Sequence, residues 1–296
     1  MSREGPKPCN VSTNLPVMRK APLVQQAIDG FCQAGIENAP LEAQWLLQWA
    51  TGWDRLHLLH HTDIPAESAE RFLEGVRRRI QREPMAFITG KQGFWTLDLA
   101  VSPDTLIPRP DSETLIEALL ALCPERSKIR SILDLGTGTG CLLLAALVEY
   151  PHALGVGVDI SDGAVLLAQH NAQQHDLDKR ASFQVGSWTE GVEGHFDIIL
   201  SNPPYIEKKE IEHLMPEVAL YEPHRALDGG DDGLSAYRLL CRLLPNILAP
   251  GGFIIFELGA GQEEAVTALA EQNGLKKIMC RKDLGGIPRA LVLAHS

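Results

Sequence analysis

The chain has 296 residues, 45% of them hydrophobic and 22% charged, with a formal net charge of −11. Those values describe an ordinary folded protein and argue against long disordered or low-complexity stretches. The longest uninterrupted apolar run, Cys141 to Val148, is eight residues, well short of the roughly 20 that span a bilayer.

Residues 1–20 hold three prolines and no periodicity. They read as a mobile N-terminal tail, with no secretory signal among them. From Leu23 the pattern turns helical. Leu23, Ala27, Ile28 and Phe31 share a face, and Gly35 is a stop. Pro40 opens a second helix with Leu41, Trp45, Leu46 and Trp49 on one side. Pro65 opens a third, where Ala69, Phe72, Leu73, Val76 and Ile80 repeat at helical spacing. Arg77, Arg78 and Arg79 mostly point away from that stripe, as a solvated face or a contact for RNA or an acidic partner. A helical domain over residues 21–90 follows. Phe94 to Val101 alternates and favours strands, which predicts a hairpin within a linker over residues 91–110.

Beyond it, over residues 111–296, strands and helices alternate. Strands are expected at Ser131–Leu135, Gly155–Ile160, Ser182–Gly186, Phe196–Ser201, Phe253–Leu258, near Lys276–Arg281 and near Arg289–Ala294. Helices are expected from the glycine loop to Tyr150, near Asp162–Gln174, near Leu234–Leu248 and over Gln262–Gln272. That order predicts an α/β fold with a doubly wound, seven-stranded, mostly parallel sheet. The six cysteines (Cys9, Cys32, Cys123, Cys141, Cys241 and Cys280) are scattered. They form no Cys-x-x-Cys motif and suggest free thiols in a reducing compartment, the cytoplasm.

Asp134-Leu-Gly136-Thr137-Gly138-Thr139-Gly140 joins the first core strand to its helix. Its glycines permit positive φ and close approach of a ligand. A nicotinamide cofactor would need a glycine where Cys141 stands, and Asp134 would repel a pyrophosphate. A carboxylate there suits a ligand with an ammonium and a sulfonium, which describes S-adenosylmethionine. Asp159 ends the next strand, 19 residues after Gly140. It is placed to accept both ribose hydroxyls, or merely to cap the helix that follows. Trp188, after the third strand, is placed to cover an adenine ring.

The fourth strand runs into Asn202-Pro203-Pro204-Tyr205. A planar, conjugated –NH₂ is a poor nucleophile because its lone pair is delocalised. Asn202 Oδ1 and the Pro203 carbonyl offer two acceptors that hold such a nitrogen toward an electrophile. The prolines stiffen the turn, and Tyr205 is suited to stack on a flat amide or base.

Together these features resemble class I S-adenosylmethionine-dependent methyltransferases acting on planar amines, and within them the release-factor glutamine methyltransferases of the PrmC/HemK family. The similarity spans about residues 21–295. It includes Glu83–Gly90, Phe94-Trp95, Leu106–Glu113, Glu257-Leu-Gly259 with Gln262, and Asp283–Arg289. A related family that methylates a ribosomal protein reads Pro-Arg-Ser-Pro where this chain has Pro108-Arg109-Pro110-Asp111, so the chain sides with the release-factor branch. The resemblance implies a Rossmann-like catalytic domain over 111–296 and a helical domain that recognises the substrate. It implies that Gly136–Gly140, Asp159, Trp188 and Asn202 bind the cofactor. Asn202–Tyr205 would hold the glutamine of a Gly-Gly-Gln tripeptide in class I peptide-chain release factors.

The reaction expected is an in-line displacement that needs no nucleophilic side chain and no metal. His57, His60 and His61 cluster in the helical part but lack the spacing and carboxylates of a metal site. Two alternatives are a nucleic-acid methyltransferase acting on an exocyclic amine and a silent adaptor. Residues 93–296 carry a net −12, which argues against direct nucleic-acid binding. Nothing in the sequence demands a dimer, so a monomer is expected.

Overall fold

The computed structural model describes residues 16–296, so most of the expected tail lies outside the described residues. The chain divides into two compact units, Met1–Thr89 and Gly90–Ser296.

In the first unit a short strand, β1 (Val17–Arg19), pairs with β2 (Asp63–Pro65) in an antiparallel sheet. The end of the expected tail therefore holds backbone pairing. The helices are α1 (Lys20–Gln33), α2 (Ala39–Thr51), α3 (Arg55–His60), α4 (Ala66–Ile80) and α5 (Met85–Thr89). Pro40 stands in the first turn of α2, and Gly52 closes it in the left-handed conformation. The apolar stripes meet in one core that includes Leu23, Phe31, Leu46, Ile64, Phe72 and Val76. The arginine run on α4 is not a uniform solvated face. Arg77 pairs with Glu74, and Arg78 pairs with Glu83. Arg79, 6% exposed, turns inward and meets Glu42 of α2 at 2.5 Å. Trp53 packs on His61 at 4.9 Å between ring centroids, and His57 stacks on His61.

The second unit opens with a hairpin, β3 (Lys91–Phe94) and β4 (Leu97–Ala100), turning at Trp95 with φ 57°. A helix unmarked in the sequence reading, α6 (Glu113–Leu122), follows. Then come β5 (Ser131–Leu135), α7 (Cys141–Glu149), β6 (Leu154–Asp159), α8 (Asp162–Gln174), β7 (Ala181–Val185) and β8 (Phe196–Ser201). A short helix, α9 (Pro216–Tyr221), lies in the long connection to α10 (Ser235–Leu243). Expected to reach Leu248, α10 stops earlier, and Leu244–Asn246 tightens into a 3₁₀ turn at Pro245. The chain ends with β9 (Leu248–Glu257), α11 (Glu263–Glu271), β10 (Leu275–Lys282) and β11 (Pro288–His295).

The sheet order is β10-β11-β9-β8-β5-β6-β7. The pairs β9–β8, β8–β5, β5–β6 and β6–β7 are parallel, while β11 runs antiparallel to both neighbours. This is the expected doubly wound architecture. Its central strands are buried on both faces, as their continuous apolar runs require. The order reverses direction between β5 and β8, so a crevice opens at the carboxyl ends of those strands. Among the described residues no helix is long and apolar enough to cross a membrane.

Candidate active site

A cavity of about 280 Å³ lies over the carboxyl ends of β5, β6 and β8. Its floor is the loop between β5 and α7. Gly136, Gly138 and Gly140 all have φ between 54° and 82°, a conformation that side chains disfavour. The loop is held from below at several points. The Gly136 and Thr137 amides both donate to the Val158 carbonyl, at 2.9 and 3.0 Å. The buried Asn171 of α8 donates to the Thr139 carbonyl at 2.9 Å, and it brackets Ala100 of the hairpin through both its amide atoms.

Asp134 does not reach the cavity wall. It is 1% exposed, and its Oδ2 accepts from the Thr137 hydroxyl at 2.6 Å. Its Oδ1 is buried without a hydrogen-bond partner, as is Thr139 Oγ1. Burial pushes the Asp134 carboxyl up to about 7, helped by the charge of Asp159 and opposed by the Thr137 hydrogen bond. Two orphaned acceptors beside one loop fit a ligand that brings its own donors.

Asp159 lies on the cavity wall. Its Oδ2 accepts from the Gly138 amide at 2.9 Å and its Oδ1 from Ser161 at 3.0 Å. It does not cap α8, because Ser161 does. Each carboxylate oxygen keeps lone-pair capacity for a further donor. Trp188 also lines the cavity, with φ 54°. Its ring lies near Gly136, where an added Cβ would meet it at 3.9 Å.

The opposite wall is built by Asp104–Arg109, Arg225 and Ala226. Glu222, 3% exposed, staples it by accepting from the Ile107 amide at 3.1 Å and from the Arg109 guanidinium. Cys141 is on the wall too. Burial and the nearby Asp134 push its thiol up to about 12, so it stays protonated and is no nucleophile.

Asn202 and Pro204 line the same cavity. Pro203 is buried beside them, and Tyr205 is half-buried with its own set of partners. The Tyr205 backbone is clamped by Gln262, whose Nε2 donates to the Tyr205 carbonyl at 3.0 Å. Gly233 has to be glycine here. A Cβ at this position would stand 2.4 Å from that carbonyl oxygen, and its φ is +71°. The Tyr205 hydroxyl donates to Glu257 Oε1 at 3.2 Å. Burial pushes the Glu257 carboxyl up, while hydrogen bonds from Ser112 and Tyr205 and the charge of Arg289 pull it back.

The structure thus brings Gly136–Thr139, Asp159, Trp188, Asn202 and Pro204 around one cavity, while Gly140 lies behind it, where an added Cβ would meet Ala168 and Leu144 at 3.3 Å. It sets Asp134 beneath the loop and Pro203 and Tyr205 behind the wall. The sequence reading assigned no role to Ser112, Glu257, Gln262 or Asn171. The first three stood inside stretches that carry the resemblance, and Asn171 left no signal. Among the described residues no group of three or more His, Cys, Asp or Glu side chains could hold a metal ion.

Residues 22–90 match the family model of the PrmC N-terminal domain, and residues 110–231 match that of the methyltransferase small domain. The release factor glutamine methyltransferase of Rhodospirillum rubrum is 46% identical over 264 residues, covering 88% of this chain and 80% of its own. That of Geobacter sulfurreducens is 43% identical over 264 residues, covering 88% and 90%. Among solved structures, a methyltransferase from Pyrococcus furiosus aligns with a TM-score of 0.50 at 18% identity, covering 76% of this chain and 95% of that one. This last likeness concerns the fold alone.

Proposed function

Because the chain belongs to the release factor glutamine methyltransferase family, we propose that it methylates the side-chain amide nitrogen of the glutamine in the Gly-Gly-Gln motif of class I peptide-chain release factors. The cofactor is S-adenosylmethionine, which supplies a methyl group already activated by its sulfonium. The observation that carries the reading is the position of Asn202 and Pro204. They form one wall of the cavity whose other walls hold the glycine loop, Asp159 and Trp188.

The residues present fit such a cofactor. Asp159 has lone pairs for the ribose hydroxyls, and Trp188 offers a flat face to the adenine. Asp134 Oδ1 and Thr139 Oγ1 are acceptors without partners beside the loop. Asn202 Oδ1 and the Pro203 carbonyl hold the two N–H groups of the substrate amide. They orient its nitrogen and favour pyramidal geometry as the new bond forms. The protein contributes position and polarisation rather than a nucleophile of its own. The small residues of Gly-Gly-Gln let an extended loop enter a narrow site.

The helical unit would contact the rest of the release factor, and the chain would act as a monomer in the cytoplasm. Residues 93–296, at net −12, support a protein substrate over a direct nucleic-acid one.

The test is methyl transfer from labelled S-adenosylmethionine to purified release factor, beside a version carrying Gly-Gly-Ala. Label on the first alone is expected. Equal label on both would move the target elsewhere. No label on either, with duplex DNA labelled instead, would overturn the reading.

A further inference from the structure

An asparagine amide is nearly symmetric in shape, yet only its oxygen end can accept from a substrate N–H. Something must decide which end faces the cavity. Ser201 pairs with Phe256 across the parallel strands β8 and β9. The next residues, Asn202 just past the end of β8 and Glu257 at the end of β9, therefore stand at one level. Glu257 is 1% exposed, and its Oε2 accepts from the Ser112 hydroxyl at 2.5 Å. Asn202 Nδ2 reaches that same hydroxyl at 3.2 Å.

We propose that Glu257 is a positioning residue which, through Ser112, sets the Asn202 amide with its oxygen toward the substrate. This rests on the reading above, in which Asn202 accepts from the glutamine amide. A carboxylate is an acceptor only, and a serine hydroxyl has one proton. Ser112 gives that proton to Glu257. Its remaining lone pairs can only accept, so the side chain facing it must present N–H. Asn202 turns Nδ2 to Ser112 and leaves Oδ1 for the cavity. The reverse orientation would set an NH₂ group against the substrate's NH₂, with no acceptor between them.

Four further contacts keep the relay in place. The Tyr205 hydroxyl donates to the other Glu257 oxygen at 3.2 Å, so the carboxylate has a donor on each side. Beside Ser112, Asp111 pairs with Arg289 at 3.2 Å, and Arg289 also holds Asp283 at 3.2 Å and the Leu258 carbonyl at 2.9 Å. The stretches Leu106–Glu113 and Asp283–Arg289 thereby acquire a physical function. They seat one hydroxyl.

A buried carboxylate with these partners could also be plain stitching, and a double-mutant cycle separates the two. Activity is measured as kcat at saturating cofactor with labelled methyl transfer. Asn202→Ala alone should lower it about 10²-fold or more. Ser112→Ala and Glu257→Gln, the latter keeping the shape, should each lower it about 10-fold. Added to Asn202→Ala, neither should lower it further. Losses that multiply would overturn the proposal, because the two groups would then act independently of Asn202. Full activity in Ser112→Ala or Glu257→Gln, with Asn202→Ala impaired, would also overturn it while leaving the site reading intact. Full activity in Asn202→Ala would overturn the site reading itself, and the relay with it.

A second readout does not depend on turnover. The Asn202 side-chain NH₂ resonance, assigned by its loss in Asn202→Ala, should show a through-space cross-peak to the Ser112 β protons. Glu257→Gln should weaken or abolish that cross-peak. Its persistence at full strength would overturn the proposal.

Discussion

Asp134→Asn probes the electrostatics beneath the glycine loop. Burial moves the Asp134 carboxyl from its ordinary 3.8 to about 7. At about 1.36 kcal/mol per pKa unit, the difference between those values corresponds to roughly 4 kcal/mol. The folded pKa is the higher one. The contribution to stability is therefore fully present below about pH 4 and is lost as pH rises through about 7. Some 2–3 kcal/mol of that loss falls between about pH 5 and pH 8. The variant keeps an acceptor for Thr137 and has no proton to lose. Urea unfolding of both proteins across that range is the assay. The native chain should lose about 2–3 kcal/mol relative to Asp134→Asn between the two ends. Parallel stability curves would refute the reasoning, since they would mean that the buried carboxyl titrates alike in the folded and unfolded chain.

Three further outcomes follow from the geometry. Trp188→Ala should weaken cofactor affinity about 10-fold by calorimetry, the scale of one base–aromatic stack. An unchanged affinity would remove Trp188 from the adenine wall. Gly233→Ala should lower kcat while cofactor affinity is retained, because the added methyl displaces the Tyr205 carbonyl and the Gln262 side chain, which lies 2.7 Å from the Cβ position. Equal losses in both measurements would contradict that division. Arg79→Ala should cost about 3 kcal/mol or more by leaving Glu42 without its inward partner. An unaltered unfolding temperature would show that this ion pair contributes nothing to the helical unit.

Local pattern exposed much of the fold. The strand and helix order needed only periodicity and the placement of Gly and Pro, and the core strands deviate by a residue or two at their ends. The N-terminus of β9 was missed because Pro250, Gly251 and Gly252 carry no strand pattern, although the chain continues extended through them. Helix α6, just past the expected linker, was not marked, and α3 is six residues long, too short for a periodic signal. In the cavity, residues adjacent in sequence to a loop or strand end were legible: Gly136–Thr139, Asp159, Trp188 and Asn202. Glu257 and Ser112 were not, since 145 residues separate them. Only the parallel register of β8 and β9 and the fold-back of the Leu106–Glu113 stretch bring them together. The Arg77–Arg79 run misled in part, because a helix turns each successive residue by about 100°. The third arginine therefore faces α2 while its neighbours face outward.

The position of Arg289 has a kinetic consequence. It stands on β11, the strand that slots between β9 and β10, and it reaches back 178 residues to Asp111. Pairings between such distant parts of a chain form late, after local units have condensed. The glycine loop and most of the parallel sheet are encoded upstream of β11 and can form before it docks. Ser112 gains its full seat only when that last strand enters. A refolding chain should thus bind cofactor before it turns over, with methyl transfer lagging behind recovery of the sheet.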